Sequence, residues 1–292
     1  MSEPKRTPDG ECVDVTVIVP TYQRPDRLTS CLDALRAQRM PPGRTYEVVV
    51  VDDGSVPPVA DSVCQPPGNA AAIRLVRQEN AGPAAARNRG AALACGDLLA
   101  FTDDDCRPGT GWLAALLAAS EAAPDALLGG TTVNGEDNVF SAASQDLVFY
   151  LMEEDQQYFA SNNIACRKEA FDALGGFADG FPLAGGEDRD LGLRWARSGR
   201  PLARAPGAEV SHHHTLDPRS FWRQHANYGR GARHMRTLGE AGGGHAFAAL
   251  GWYARLVSWP LRTRQPRGLQ RSALLGLAQL ATAWGFATPN RR

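Results

Sequence analysis

The sequence predicts an α/β fold: a mostly parallel sheet flanked by helices, with a helical extension at the C-terminal end. Three observations predict it. Apolar, β-branched runs alternate with helical segments through the first half. These runs end in polar and acidic clusters. After about residue 216 the sequence turns arginine-rich, with acids almost gone.

The elements follow in order. VDVTVIVP (13–20) is apolar and β-branched and breaks at Pro20. Residues 25–39 carry Leu28, Leu32 and Leu35 at helical spacing. YEVVVVDDGS (46–55) and AIRLVRQ (72–78) read as further strands. GPAAARNRGAALACG (82–96) is an alanine-rich helix closed by glycine, and DLLAFTDDD (97–105) is the next strand. Such a βαβ rhythm gives buried parallel strands, which should be near-continuous apolar runs, as these are. The second half reads as a helix at 141–158 and a short strand at 160–168. A helix at 168–177 stopped by Gly175-Gly176 follows, then a helix at 185–199. PLARAPGAEVSHHH (201–214) is strand-like and ends in three histidines. There is no internal repeat.

Composition bounds the class. The chain has 292 residues, 43% hydrophobic and 22% charged, enough for one large domain or two modest ones. Its net charge of −1 conceals an asymmetry. Residues 217–292 hold 12 arginines and only Asp217 and Glu240 as acids, so they carry +10 and residues 1–216 carry −11. The cysteines at 12, 31, 64, 95, 106 and 166 include no CxxC pair, which fits reduced thiols in a cytoplasmic protein. The first residues, MSEPKRTPDGECVD, show no apolar signal core, and no apolar run reaches the roughly 18 residues of a spanning helix.

The unusual residues gather where ligands bind in such sheets, at the carboxyl ends of strands. Pro20-Thr21-Tyr22 follows the first strand, Asp52-Asp53-Gly54-Ser55 the second and Asp103-Asp104-Asp105 the fourth. Any one cluster reads as a solvated turn; three at one edge point to one site. Asp103 and Asp105 offer hard oxygen donors, which suit Mg²⁺ or Mn²⁺ better than zinc. Such an ion completes its shell with substrate phosphate, so a nucleoside diphosphate fits. The first strand lacks a following GxGxxG and the chain lacks GxxxxGK[ST], which disfavours dinucleotide enzymes and P-loop ATPases. Glu187 and Asp188 stand in the first turn of a helix, where capping alone would also place acids.

Taken in order, VIVPTYQRP, VVVDDGS, ENAGPAAARNRGAALACGD, LLAFTDDDC, SNNIACRKEAFDALGGF and GGEDRDLGLRWARSG resemble the family 2 inverting glycosyltransferases. The resemblance covers about residues 13–214 and implies a Rossmann-like GT-A catalytic domain there, leaving 215–292 as a helical, arginine-rich extension. It implies transfer of a sugar from a nucleoside-diphosphate sugar, expected to be UDP-linked, to an acceptor hydroxyl with Mn²⁺ or Mg²⁺. Pro20, Thr21, Tyr22, Arg24, Asp52, Asp53, Gly82, Arg87, Asp103 and Asp104 would surround the nucleotide sugar. Asp105, with Asp103 and His212, would hold the metal. Asp188 would be the catalytic base, with Glu187 the next candidate. The family often reads D-x-D-D where this chain reads D-D-D-C, so which acid touches the metal stays open. Cys106 is expected to be a passive buried thiol.

Two rivals share the same features: a sugar nucleotidyltransferase, and a catalytically silent nucleotide-sugar-binding protein. The first would need a glycine-rich triphosphate loop and a lysine near the first strand, and neither is present. In the tail, residues 217–239 are expected to be helical in their first half, and 246–261 and 273–287 are apolar segments with Trp252, Trp259 and Trp284. Arginine and tryptophan on amphipathic helices fit a peripheral contact with anionic lipid at the inner face of the membrane, or a phosphate-bearing acceptor. They equally fit a cap packed on the acidic body. The acceptor itself is open among small molecules, glycans and lipid-linked sugars, and nothing else supports a nucleic acid.

Overall fold

The computed structural model describes residues 13–64, 72–155, 158–178, 181, 185–237 and 250–288. Cys12, Glu240 and the start of the 246–261 segment lie outside them. The first half follows the expected alternation: β1 (Val15–Thr21), α1 (Pro25–Arg36), β2 (Tyr46–Asp52), a short α2 (Asp61–Cys64), β3 (Ala72–Arg77), α3 (Pro83–Leu93) and β4 (Leu98–Thr102). β3, β2, β1 and β4 lie side by side and parallel. Their side chains alternate between two cores, as the twofold pleat requires. Val15, Val17 and Val19 face α1 and α4 (Trp112–Ala122), while Ile18 faces α3. Fully burying each such side chain contributes about 1.5–3 kcal/mol.

Beyond β4 the sheet departs from the expected pattern. β5 (Cys106–Pro108) starts after the acids, and β6 (Leu127–Asn134) follows α4. α5 (Val139–Asp155), β7 (Asn163–Arg167), α6 (Lys168–Ala173), α7 (Glu187–Arg197) and β8 (Leu202–His212) complete the body. The sheet order is β3-β2-β1-β4-β7-β6-β8-β5. β7 runs antiparallel to both β4 and β6, and β5 antiparallel to β8, while β6 and β8 are parallel. The expected parallel sheet is thus mixed at one side. The β5–β8 register opposes Cys106 to His212. This single pairing carries the end of the acidic run to the first histidine.

The C-terminal helices are α8 (Pro218–Thr237), α9 (Leu250–Arg262) and α10 (Gly268–Ala287). α8 continues through Thr237, past the first half expected from sequence. They build a third core with α5, in which Leu147, Tyr150, Phe221, Trp252, Leu256 and Leu275 are buried. Arg271 of α10 forks onto Asp146 of α5, with Nε 2.6 Å from Oδ2. An arginine of the basic extension therefore meets an acid of the body, as the cap alternative requires. α8 and α10 approach closely because glycine lies where they meet. A Cβ on Gly229 would stand 2.0 Å from the Thr282 carbonyl oxygen, and one on Gly285 1.9 Å from that of Ala226.

Gly229→Val therefore forces α8 and α10 apart. The expected cost is about 1–3 kcal/mol, as for other overpacked sites, read as a melting point lowered by several degrees. An unchanged melting point would show that the helices do not pack this closely.

Candidate active site

Asp103, Asp104 and Asp105 turn away from one another, and each meets a different partner. The Asp103 carboxylate accepts from Arg87 Nη2 at 2.7 Å. Asp104 is buried; it accepts from Thr21 Oγ1 at 2.8 Å and from Arg24 Nη1 at 3.3 Å. Asp105 Oδ2 meets Arg24 Nη1 and Arg27 Nη1, both at 3.2 Å, and its Oδ1 lies 3.3 Å from His212 Nε2. The His213 backbone N–H donates to the Asp105 carbonyl at 2.7 Å, which fixes this corner. Burial would raise the Asp105 carboxyl, but His212 and Arg24 outweigh it and hold it below the usual range. Burial raises Asp104 against the pull of Arg24. Like-charged neighbours so close cannot ionise with equal ease, and this pair splits accordingly.

The histidines separate by strand alternation. His212 and His214 share a face and stack, with ring centroids 3.9 Å apart. His213 points the other way, to Glu136 and Ser211. Burial, then His212, lowers His214 to about 3, so it backs His212 as a neutral ring.

Asp105 and His212 fit a divalent cation. Ligand bonds near 2.0–2.2 Å, set roughly at right angles, place two donors about 3 Å apart, close to the 3.3 Å found here. Cys106 lies within the same cluster, yet it is buried, and burial pushes its thiol well above its ordinary value. A thiol kept protonated is a poor nucleophile, and a soft sulfur donor suits Mg²⁺ or Mn²⁺ less than oxygen does. Asp103 is turned to Arg87 and so stands apart from the Asp105–His212 pair.

Arg87 joins the acidic run to α7. It is 3% exposed and also donates to Glu187 Oε1, at 3.1 Å. Glu187 Oε2 accepts the Gly185 backbone N–H, so both its oxygens are engaged within the chain. Asp188 differs. Its carboxylate accepts N–H groups of Arg189 and Ser161 and is half-buried where Glu187 is buried, and both residues line an open cavity. Burial, reinforced by Glu187, raises it to about 7.

That cavity, of about 260 Å³, is lined by Asp103, Asp188 and His212 among others. Its other walls come from α5, α8, α9 and α10, through residues such as Leu147, Tyr228, Trp252, Tyr253 and Thr282. Several residues expected at the nucleotide also hold the neighbouring loops together. Asp52 is buried and caps the Ser55 and Val59 amides. Asp53 gathers Gln78, Asn80 and the N–H groups of Ala81 and Gly82. Pro20 is buried in β1, whereas the Tyr22 ring and the Arg24 side chain stand half exposed. Arg27 was not among the expected residues; its position one helical turn after Arg24 was the signal for it.

Acids at the strand ends and a carboxylate from α7 thus line one cavity. The family profile "Glycosyl transferase family 2" matches residues 16–178, and "N-terminal domain of galactosyltransferase" matches residues 148–216. The chain belongs to glycosyl transferase family 2. It is 33% identical over 231 residues to a pre-mycofactocin glycosyltransferase of Mycobacterium tuberculosis, covering 75% of this chain and 47% of that one. It is 29% identical over 179 residues to the glycosyltransferase AglE of Haloferax volcanii, covering 59% and 58%. The chain thus spans about half the length of the curated relatives it matches. Its fold resembles the mannosyltransferase PcManGT of Pyrobaculum calidifontis, solved with GDP-Man and Mn²⁺. That match has a TM-score of 0.61 at 20% identity and covers 94% of this chain and 88% of the other.

Removing the Arg87 cation should be severe. Arg87→Met leaves Asp103 and the buried Glu187 facing each other without it. Breaking a buried pair in this way typically costs about 3–5 kcal/mol, so chemical denaturation should show a loss of that order. A loss under about 1 kcal/mol would show the network to be dispensable.

Proposed function

We propose that the protein is an inverting glycosyltransferase that moves a sugar from a nucleoside-diphosphate sugar to an acceptor hydroxyl, with a divalent cation at Asp105 and His212. The observation that carries this reading is one cavity lined both by His212 and Asp103 and by Asp188, which comes from a separate helix. Inversion needs attack opposite the departing diphosphate, and therefore a base on the far side of the sugar from the cation. We divide the chain into a catalytic domain, 13–214, and a helical cap, 215–292, whose helices wall the acceptor end.

The cation, Mn²⁺ or Mg²⁺, supplies charge neutralisation for the departing diphosphate. The chain's own residues do the rest. Asp188 takes the proton of the acceptor hydroxyl. A base near 7 suits this task, because about half of it is ionised at neutral pH and it still accepts a proton well. Glu187, engaged by Arg87 and Gly185, holds the start of α7 in place. Arg87 holds Asp103 beside the donor. The half-exposed Tyr22 ring and Arg24 offer a stacking surface and a cation for the nucleotide, and Thr21 and Asp104 fix the loop that carries them. Asp52, Asp53 and Gly82 shape the neighbouring nucleotide loops. A UDP-sugar is the expected donor, and the fold neighbour's GDP-Man adds GDP-sugars to the panel to be screened.

Two measurements test this reading. Asp105→Ala should abolish the Mn²⁺-dependent part of UDP or GDP binding in calorimetry while the circular dichroism stays unchanged. Unaltered affinity would remove the metal from this corner. Asp188→Asn keeps the shape and removes the base, so transfer should drop roughly 10²–10⁴-fold with donor binding kept.

The same carboxyl predicts a pH dependence. The wild-type rate should rise with pH through about 7, as Asp188 ionises. Its folded value lies above the unfolded one, so its contribution to stability is present at low pH and lost as pH rises through about 7. Asp188→Asn should therefore raise the melting point more at pH 8 than at pH 5. Equal changes at both would mean that Asp188 is not held in this environment.

A further inference from the structure

The cap that walls the cavity also presents a surface the catalytic reading does not use. On α10, Leu269, Leu280 and Trp284 are 77%, 65% and 57% exposed. Ala273, Ala283 and Ala287 are exposed with them. At about 100° per residue these positions fall within one stripe roughly 100° wide. From 269 to 287 it runs about 27 Å at the rise of an α-helix. It contains no polar side chain. The one charged residue of α10, Arg271, turns inward to Asp146. An exposed apolar strip of this length marks a contact with something.

Charge decides between the occupants. Residues 250–288 contain five arginines and no acid. Arg255, Arg262, Arg264 and Arg267 are exposed along α9 and in the turn before α10, where exposed Leu261 joins them. The acid that reaches this group is the exposed Asp137, 3.2 Å from Arg267. A second copy docked about a twofold axis would set these arginines toward its own equivalents, with no acid in 250–288 to receive them. An anionic lipid surface receives both features at once: the stripe enters the headgroup boundary, Trp284 sits at that level, and the arginines meet lipid phosphate.

We infer that the outward face of α10, flanked by the exposed arginines of α9 and of the α9–α10 turn, docks on an anionic lipid bilayer. No described helix is long and apolar enough to cross one, so the contact lies in the plane of the surface. Ala283 belongs to the stripe and also lines the cavity. Docking therefore holds the α10 wall of the cavity at the bilayer.

Flotation of the full chain with phosphatidylcholine vesicles, alone or mixed with phosphatidylglycerol, tests this at low and high salt. The protein should float with the anionic vesicles at low salt, and high salt should release most of it, since exposed charges are screened beyond about 8 Å at physiological ionic strength. Leu280→Ser with Trp284→Ser should abolish flotation. Arg262→Gln and Arg264→Gln should each weaken partitioning about fivefold, since a basic residue near the surface is worth about 1 kcal/mol. All four side chains are exposed, so melting point and Mn²⁺–nucleotide binding should stay at wild-type values and report an intact fold. Failure to float at low salt, or equal flotation on neutral vesicles, would overturn the inference. So would a dimer in size-exclusion chromatography that the serine pair converts to monomer, because the stripe would then be an interface between copies.

Discussion

The buried guanidinium of Arg87 is the contact on which the site depends. It joins Asp103, at the end of a central strand, to Glu187, in the first turn of a helix 84 positions further along the sequence. Two carboxylates in this position would repel, and burying either alone is costly. One fully buried cation between them offsets both costs and sets the distance from the acidic run to α7. The Phe177 ring lies 5.5 Å from the guanidinium carbon and closes off its third side. The separation between Asp188 and the Asp105–His212 corner is inherited from this tie, so Arg87 acts as a strut as well as a charge.

The three successive aspartates are tolerated because the chain bends there and sends them apart. Asp103 goes to Arg87, Asp104 to Thr21 and Arg24, and Asp105 to His212 with two arginines. Arg24 and Arg27 place positive charge where a cation would otherwise relieve the carboxylates. A divalent ion binding at Asp105 must therefore compete with or displace part of that contact, and an incoming diphosphate offers the arginines a new partner. On the function proposed above, donor and metal binding would be coupled through these two side chains.

The cap is not an independent appendage. Its helices share a core with α5 of the body, and glycine lets α8 and α10 approach to backbone contact. Because α8, α9 and α10 also wall the cavity, their stability and the shape of that cavity are set together. The outward face of α10 stays apolar although the inward face already supplies the packing. That excess is what distinguishes a surface with a partner from a simple cover.

The parallel half of the sheet was legible in the residues alone, because β1, β2 and β4 are near-continuous apolar runs that end in polar or acidic residues. Sequence also determined which residue types meet at the strand ends, since three aspartates after Phe101-Thr102 break every expectation for a buried strand. The order of six motifs was enough to indicate the family. Sequence did not reveal β5, three residues with a proline, or β6, which begins LLGG, or α4, apolar on nearly every face and so without a readable period. Tertiary structure alone decided the division of labour within the site. The β5–β8 register brought Asp105 to His212, across more than a hundred residues of chain. It left Arg87, Asp52 and Asp53 as struts within the chain and Asp188 as the less buried carboxylate of the ED pair. The physical reason is that local sequence fixes which groups are available. Which oxygen remains unengaged depends on the donors that distant strands and helices carry to it.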